Sequence, residues 1–220
     1  NPSCIYFIIR FRIRIKAGKI ASEVREYSKT LIRPGAKLLD VAEKIEAKIR
    51  ELGAIPAFPV NLSSHQHAAH YTPAPDETAV LDKQLLKVDI GVCYNGAIGD
   101  TAYTVDLSGK YANLVNASKQ AVENAIKILR PGISLAEIGK IIEDTIHKQG
   151  FEPIKNLSGH GLDLYKIHTR PSIPNYDNGD PTVLEKGMII AIEPFATTGG
   201  GRIKEGSQPR IFMEISAKPI

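Results

Sequence analysis

A chain of 220 residues, 43% of them hydrophobic, is long enough to bury a good core as one or two domains. Its formal net charge of +4 resides in Arg10, Arg12, Arg14 and Lys16, with no acid before Ala17, so the rest is neutral and offers no basic body for a phosphate backbone; nucleic acid is excluded as the main substrate. The cysteines, Cys4 and Cys93, supply neither a disulfide framework nor a CxxC pair, which suits a reducing, cytoplasmic setting.

Residues 1–16, NPSCIYFIIRFRIRIK, contain an apolar run from Cys4 to Ile9 too short to span a bilayer, and no signal-peptide cleavage site, so no membrane partner is expected. Phe11, Ile13 and Ile15 alternate with Arg and Lys, which predicts a strand or a cationic surface segment, set apart from a main domain over 17–220. Helices are predicted over 18–32 and 38–52, the second carrying apolar residues at 38, 41, 42, 45 and 49 and closed by Gly53. A histidine-bearing connection follows, and then a hairpin over 85–107. Helices over 114–129 and 135–148, a short strand over 151–155, a connection over 160–168, a loop over 174–181 and a strand over 188–193 complete the reading. Gly199-Gly200-Gly201 marks a flexible turn. Helices and hairpins in blocks, without strict βαβ alternation, argue for an α+β fold with a mixed, mainly antiparallel sheet.

The chain also repeats itself. IRPGAKLLDVAEKIEAKIRELG from Ile32 recurs as LRPGISLAEIGKIIEDTIHKQG from Leu129, in register at 97 residues. Asn61-Leu62-Ser63-Ser64-His65 parallels Asn156-Leu157-Ser158-Gly159-His160. Leu81-Asp82-Lys83 parallels Leu184-Glu185-Lys186, which sets Asp89 of the first half against Glu193 of the second. A long spacing seen twice describes two related halves rather than a solenoid.

Chemistry concentrates in the hairpin. Asn95-Gly96 between two apolar runs signals a two-residue type I′ turn, and with that turn Asp89 opposes Ala102 while Asp100 shares its face. The two carboxylates are then diagonal neighbours, about 7–8 Å apart at the backbone. A solvated outer face is the ordinary explanation for such a pair, but Gly91, Cys93, Ile98 and Ala102 beside them look inward. Asp89, Asp100, His160 and Glu193 make a hard to borderline donor set, suited to Mn, Fe, Co or Zn. His65-x-His67-x-x-His70 is the weaker alternative cluster.

AHYTP at 69–73, KVDIGVCYNGAIGDTA at 87–102, NLSGHG at 156–161, YKIHTRPSIPN at 165–175 and AIEPFATTG at 191–199 closely resemble the type 2 methionine aminopeptidases, particularly the short archaeal kind. The resemblance runs from about Ala17 to Ile220. It implies the pita-bread fold of two pseudo-symmetric halves, a monomer, and removal of the N-terminal methionine from nascent polypeptides by a hydroxide activated between two divalent metal ions. Asp89 would serve one metal, Asp100 would bridge both, and His160 with Glu193 would serve the other. His70 and His168 would donate hydrogen bonds to the peptide and its tetrahedral intermediate. Phe58, Ile167 and Phe195 would form the methionine pocket, although core packing alone could account for Phe58 and Phe195.

The family's fifth ligand is a glutamate in a C-terminal Gln-x-Glu-His-like segment beyond a helical insertion, and neither is found before Ile220. The resemblance therefore implies a fold incomplete at its C-terminus. Glu205 and Glu214 are rejected as replacements, because Gly206, Ser207 and Pro209 break any strand after Glu205 and Glu214 matches a non-ligand position. Other departures are His65 for Asn, Cys93 for His, and Thr169-Arg170 for Ala-Gly, the last adding a bulky charge near the substrate channel. A non-catalytic pita-bread binding protein and an Xaa-Pro aminopeptidase are the alternatives: the first normally loses the metal residues, and the second normally carries an added N-terminal domain.

Overall fold

The computed structural model describes residues 2–206. Helix α1 spans Pro2–Lys29, α2 Leu38–Glu51, α3 Ala112–Ile128 and α4 Leu135–His147. The strands are β1 (Ile55–Pro56), β2 (Asn61–Ser64), β3 (Leu85–Tyr94), β4 (Ala97–Asp106), β5 (Glu152–Pro153), β6 (Ser158–Asp163), β7 (Lys166–Pro174), β8 (Ile190–Ala191) and β9 (Ala196–Thr197). Every ladder among the described residues is antiparallel, as the blocked pattern of elements predicts.

α1 buries Ala17, Ile20, Ala21, Val24 and Ser28, one helical stripe, against β3 and β4. It can lie this close because Gly99 on β4 has no side chain: a Cβ there would sit 2.7 Å from the Ala17 carbonyl oxygen. Of the two readings of the alternation at Phe11, Ile13 and Ile15, a strand or a cationic surface segment, the strand is not formed, and the segment extends α1 toward its N-terminus with Arg12 and Lys16 exposed. Phe11 and Ile15 are also i and i+4, and adding residues to an existing helix avoids a new nucleus. Both remain exposed. Two connections are likewise strands: residues 61–64 pair with β3, and residues 160–168 form most of the β6–β7 hairpin. No helix among the described residues is long and apolar enough to cross a membrane.

The repeat is present in the hydrogen bonds. Gly35 and Gly132 both adopt positive φ, 86° and 87°, and donate their N–H groups to the Leu81 and Leu184 carbonyls. Gly53 and Gly150, past the ends of α2 and α4, have φ of 77° and 81°, left-handed conformations that glycine adopts without Cβ strain. β1 pairs Ile55 with Cys93, and β5 pairs Glu152 with Thr197, so steps of 97 and 104 residues carry one pair onto the other. The same steps carry Ser63↔Lys87 onto His160↔Ala191. Ser63, not His65, therefore occupies the place of His160: the NLSSH and NLSGH motifs are two residues out of structural register. Each half buries its own core, one around Ile45, Leu62 and Ile90, the other around Ile138, Ile142 and Ile173.

Candidate metal centre

Asn95 and Gly96 adopt φ of 50° and 86°, the left-handed pair that a type I′ turn requires. The register that follows pairs Asp89 with Ala102 and Gly91 with Asp100, so both carboxylates project from one face. Phe58 lies on that face too: a Cβ on Gly91 would come within 2.3 Å of its ring. From the other half, β6 carries His160, and its ladder partner Ala191 precedes Glu193 by two residues. The halves meet at their hairpin turns, where Tyr165 donates its N–H to the Gly96 carbonyl at 2.8 Å and sets its ring over that glycine.

Asp100, His160 and Glu193 thereby converge, with one ligand atom of each within 4.8 Å of the others. His160 Nε2 is 3.6 Å from Asp100 Oδ2 and 2.9 Å from Glu193 Oε1. His160 Nδ1 lies 3.1 Å from the Gly161 carbonyl, a contact that makes Nδ1 the protonated nitrogen of a neutral ring and leaves Nε2 facing the acids. Asp89 stands outside this tight triplet but close enough to feel it. Burial first, then the charges of Asp100 and Glu193, push its pKa up to about 8, against partial relief from His160. Asp100 is pushed up to about 6 by burial and by Glu193. Burial pulls the His160 pKa down, but contact with the Glu193 carboxylate and the nearness of Asp100 outweigh it, and the net direction is upward.

The donor set fits a divalent ion. Carboxylate oxygens with one imidazole suit hard to borderline metals. The buried Glu193 Oε1 has no hydrogen bond of acceptable geometry despite the nearby imidazole, and such an orphaned oxygen is stabilised by a cation beside it.

A cleft of about 660 Å³ opens over this group, and Asp89, His160, Glu193, His70, His168 and Phe195 all line it. The His168 ring packs edge-on against His160, centroids 4.3 Å apart, and its pKa is lowered by burial and then by repulsion from His160. His70 is held at φ 62°, a conformation uncommon for a side-chain-bearing residue. Of the expected pocket residues, Phe58 lies beside the carboxylates rather than on the cleft wall, and Ile167 is half-buried and does not line the cleft. The His65-His67-His70 cluster is not assembled as a ligand set among the described residues; His67 stacks on Tyr71 instead. Glu205 is exposed and lies in no strand, and Glu214 falls outside the described residues.

Two kinds of lining residue were not expected, and a third, Thr169 and Arg170, was expected only as added bulk near the substrate channel. Asn156 fastens the segment after the glycine turn, exchanging 2.9 Å hydrogen bonds with the Ile203 backbone. Ser158 and Ser172 bond across β6 and β7 at 2.9 Å. Thr169 and Arg170 both line the cleft although they are strand neighbours, because the ladder is interrupted between Gly161↔Thr169 and His160↔Ser172. The motif NLSGHG carried a signal for Asn156 and Ser158, and the departure Thr169-Arg170 marked a charge near the substrate channel, although the irregular ladder that turns both inward could not be read from the sequence.

Residues 13–213 match metallopeptidase family M24. The methionine aminopeptidase of Thermococcus onnurineus is 51% identical over 208 residues, covering 94% of this chain and 70% of that protein. Among solved structures, the methionine aminopeptidase of Thermotoga maritima superposes with a TM-score of 0.78 at 32% identity, covering 87% of this chain and 81% of that one. The prolidase of Pyrococcus furiosus follows at a TM-score of 0.71 and 28% identity, covering 84% of this chain and 55% of that one.

Proposed function

We infer the reaction from one premise: the chain belongs to metallopeptidase family M24, among the methionine aminopeptidases. Its fold is the pita-bread fold of that family, and it is a metallo-aminopeptidase that removes the N-terminal methionine from polypeptides, with divalent metal as cofactor.

Two ions, each Co, Mn, Fe or Zn, are the number we assign. Asp89, Asp100, His160 and Glu193 would hold them. When bound, such ions supply a Lewis acid for the scissile carbonyl and a water acidic enough to act as nucleophile at neutral pH. The free α-amino group of a polypeptide's first residue would be taken up, as the neutral amine, by the bound ions, which selects that residue over an internal bond. The chain's own residues do the rest. His70 and His168 face the same cleft from opposite halves and donate hydrogen bonds to the peptide carbonyl as negative charge develops on its oxygen. Phe195 on the cleft wall, with Phe58 beside the carboxylates, provides the apolar and aromatic surface that an unbranched, polarizable methionine side chain fills, and Ile167, off the cleft, has no part in it. The chain works as a monomer in the cytoplasm in this reading.

The observation that carries the assignment is the convergence of Asp100, His160 and Glu193 from both halves, with one buried carboxylate oxygen left without a hydrogen bond. The test is release of free methionine by protein loaded with Mn or Co. A Met-Ala-Ser peptide should be cleaved, and its N-acetylated form and an Ala-Pro peptide should not. Cleavage of the Ala-Pro peptide alone would move the assignment to the prolidases; cleavage of none would make this a binding protein.

A further inference from the structure

The catalytic cleft does not end at the metal-binding residues. Thr169 and Arg170 line it and also line a second cleft of about 510 Å³, so the two hollows share a wall. The second one is electropositive: Arg14, Lys166 and Arg170 face it, with Asp163 as the one carboxylate. Asp163 is engaged by Arg14, 3.6 Å away. Arg170 and Lys166 are both exposed, and neither side chain has a hydrogen-bond or ion-pair partner among the described residues. The strand irregularity that turns Thr169 and Arg170 together toward the cleft thus places a guanidinium without a partner among the described residues on the wall between the two clefts.

We propose that Arg170, supported by Lys166 and Arg14, forms a subsite for acidic side chains two to three residues beyond the cleaved bond. The proposal rests on the aminopeptidase reading above. Arg170 lies two residues along β7 from His168, a displacement of about 7 Å at strand geometry, and an extended peptide advances about 3.3 Å per residue. A peptide held by His168 at the scissile bond therefore brings its third and fourth residues to the guanidinium. Arginine suits the task, because its planar fork can take a carboxylate with two parallel hydrogen bonds. The contact lies far from the reacting atoms, so it strengthens binding rather than chemistry and acts through KM.

The experiment compares Met-Ala-Asp-Asp-Ser with Met-Ala-Lys-Lys-Ser on the metal-loaded protein. At low salt the acidic peptide should have a kcat/KM about three- to tenfold higher, carried by KM, since an exposed ion pair and the matching repulsion each contribute a factor of a few. The preference should shrink toward parity near 1 M salt, where screening acts over about 3 Å. Arg170→Ala should reduce the ratio and Arg170→Glu should invert it. Equal kcat/KM for the two peptides in the unmodified protein, or a preference for lysine, overturns the subsite while leaving the reaction intact. Methionine released from neither peptide overturns the reaction and the subsite with it. Equal inhibition of both peptides by a short RNA, without any preference between them, would assign these cations to a nucleic-acid surface instead.

Discussion

His70 illustrates how a single residue declares a role. Its φ of 62° places a side-chain-bearing residue in the left-handed region, which costs of order 1–3 kcal/mol and persists where the surroundings enforce it. Its ring faces the cleft shared with His168, Glu193 and Asp89. His70→Ala is expected to lower turnover on a Met-Ala-Ser peptide by about 10²–10³, the loss typical of one transition-state donor. The circular dichroism spectrum and unfolding midpoint should stay close to those of the parent; unchanged turnover would make His70 a structural histidine. Legibility in the sequence follows a similar logic at this scale. Asp89 and Asp100 could be placed on one face because Asn95-Gly96 determines the strand register, and with it every side chain of the hairpin. Ile167 could not be placed, because an interrupted ladder decides which side chains of β7 turn inward.

At the scale of elements, the errors share a cause. Residues 61–64 and 160–168 read as connections because histidine, serine, asparagine and glycine are poor strand formers by composition, yet β3 and β8 recruit them into ladders. A short β-segment is specified by its partner, which no local pattern reveals. The alternation at Phe11, Ile13 and Ile15 misled for the opposite reason: helix propagation from the buried part of α1 carried the segment through it, with Phe11 and Ile15 left exposed. What holds α1 to the sheet makes a prediction of opposite signs for two glycines. Gly99 faces the Ala17 backbone, where a Cβ would come to 2.7 Å, so Gly99→Ala must push α1 away and should destabilise by about 1–3 kcal/mol. Gly18, in the same helix, has nothing within 4 Å of its would-be Cβ, and Gly18→Ala should stabilise by about 0.5–1 kcal/mol. Urea unfolding of the two variants measures both; equal effects would mean that α1 is not seated on β4 as described.

For the molecule as a whole, the repeat foretold two halves, and the matching ladders place Asp89 and Glu193 at equivalent positions, one in each half. A bound ion would therefore join the halves and should stabilise the entire fold. The pH dependence of that stabilisation is set by the acids. Without an ion, folding raises the Asp89 pKa to about 8 and that of Asp100 to about 6, from 3.8. The folded state then binds more protons than the unfolded chain between about pH 4 and 8, so the stability these groups contribute is present below pH 4 and is lost as pH rises through that window. His160, with its pKa shifted up, contributes in the same direction. A divalent cation replaces those protons and removes the mutual repulsion of the carboxylates, so its affinity, and hence the stabilisation it gives, grows over the same interval. The rise in Tm on adding Mn to chelator-treated protein is expected to be several degrees larger at pH 8 than at pH 5.5 (about 1 kcal/mol moves a domain of this size by roughly 2–4 °C). Glu193→Gln should shrink the rise at both values, since it removes a ligand and part of the repulsion together. A shift that is equal at the two pH values, or larger at pH 5.5, would show that these carboxylates do not bind the ion.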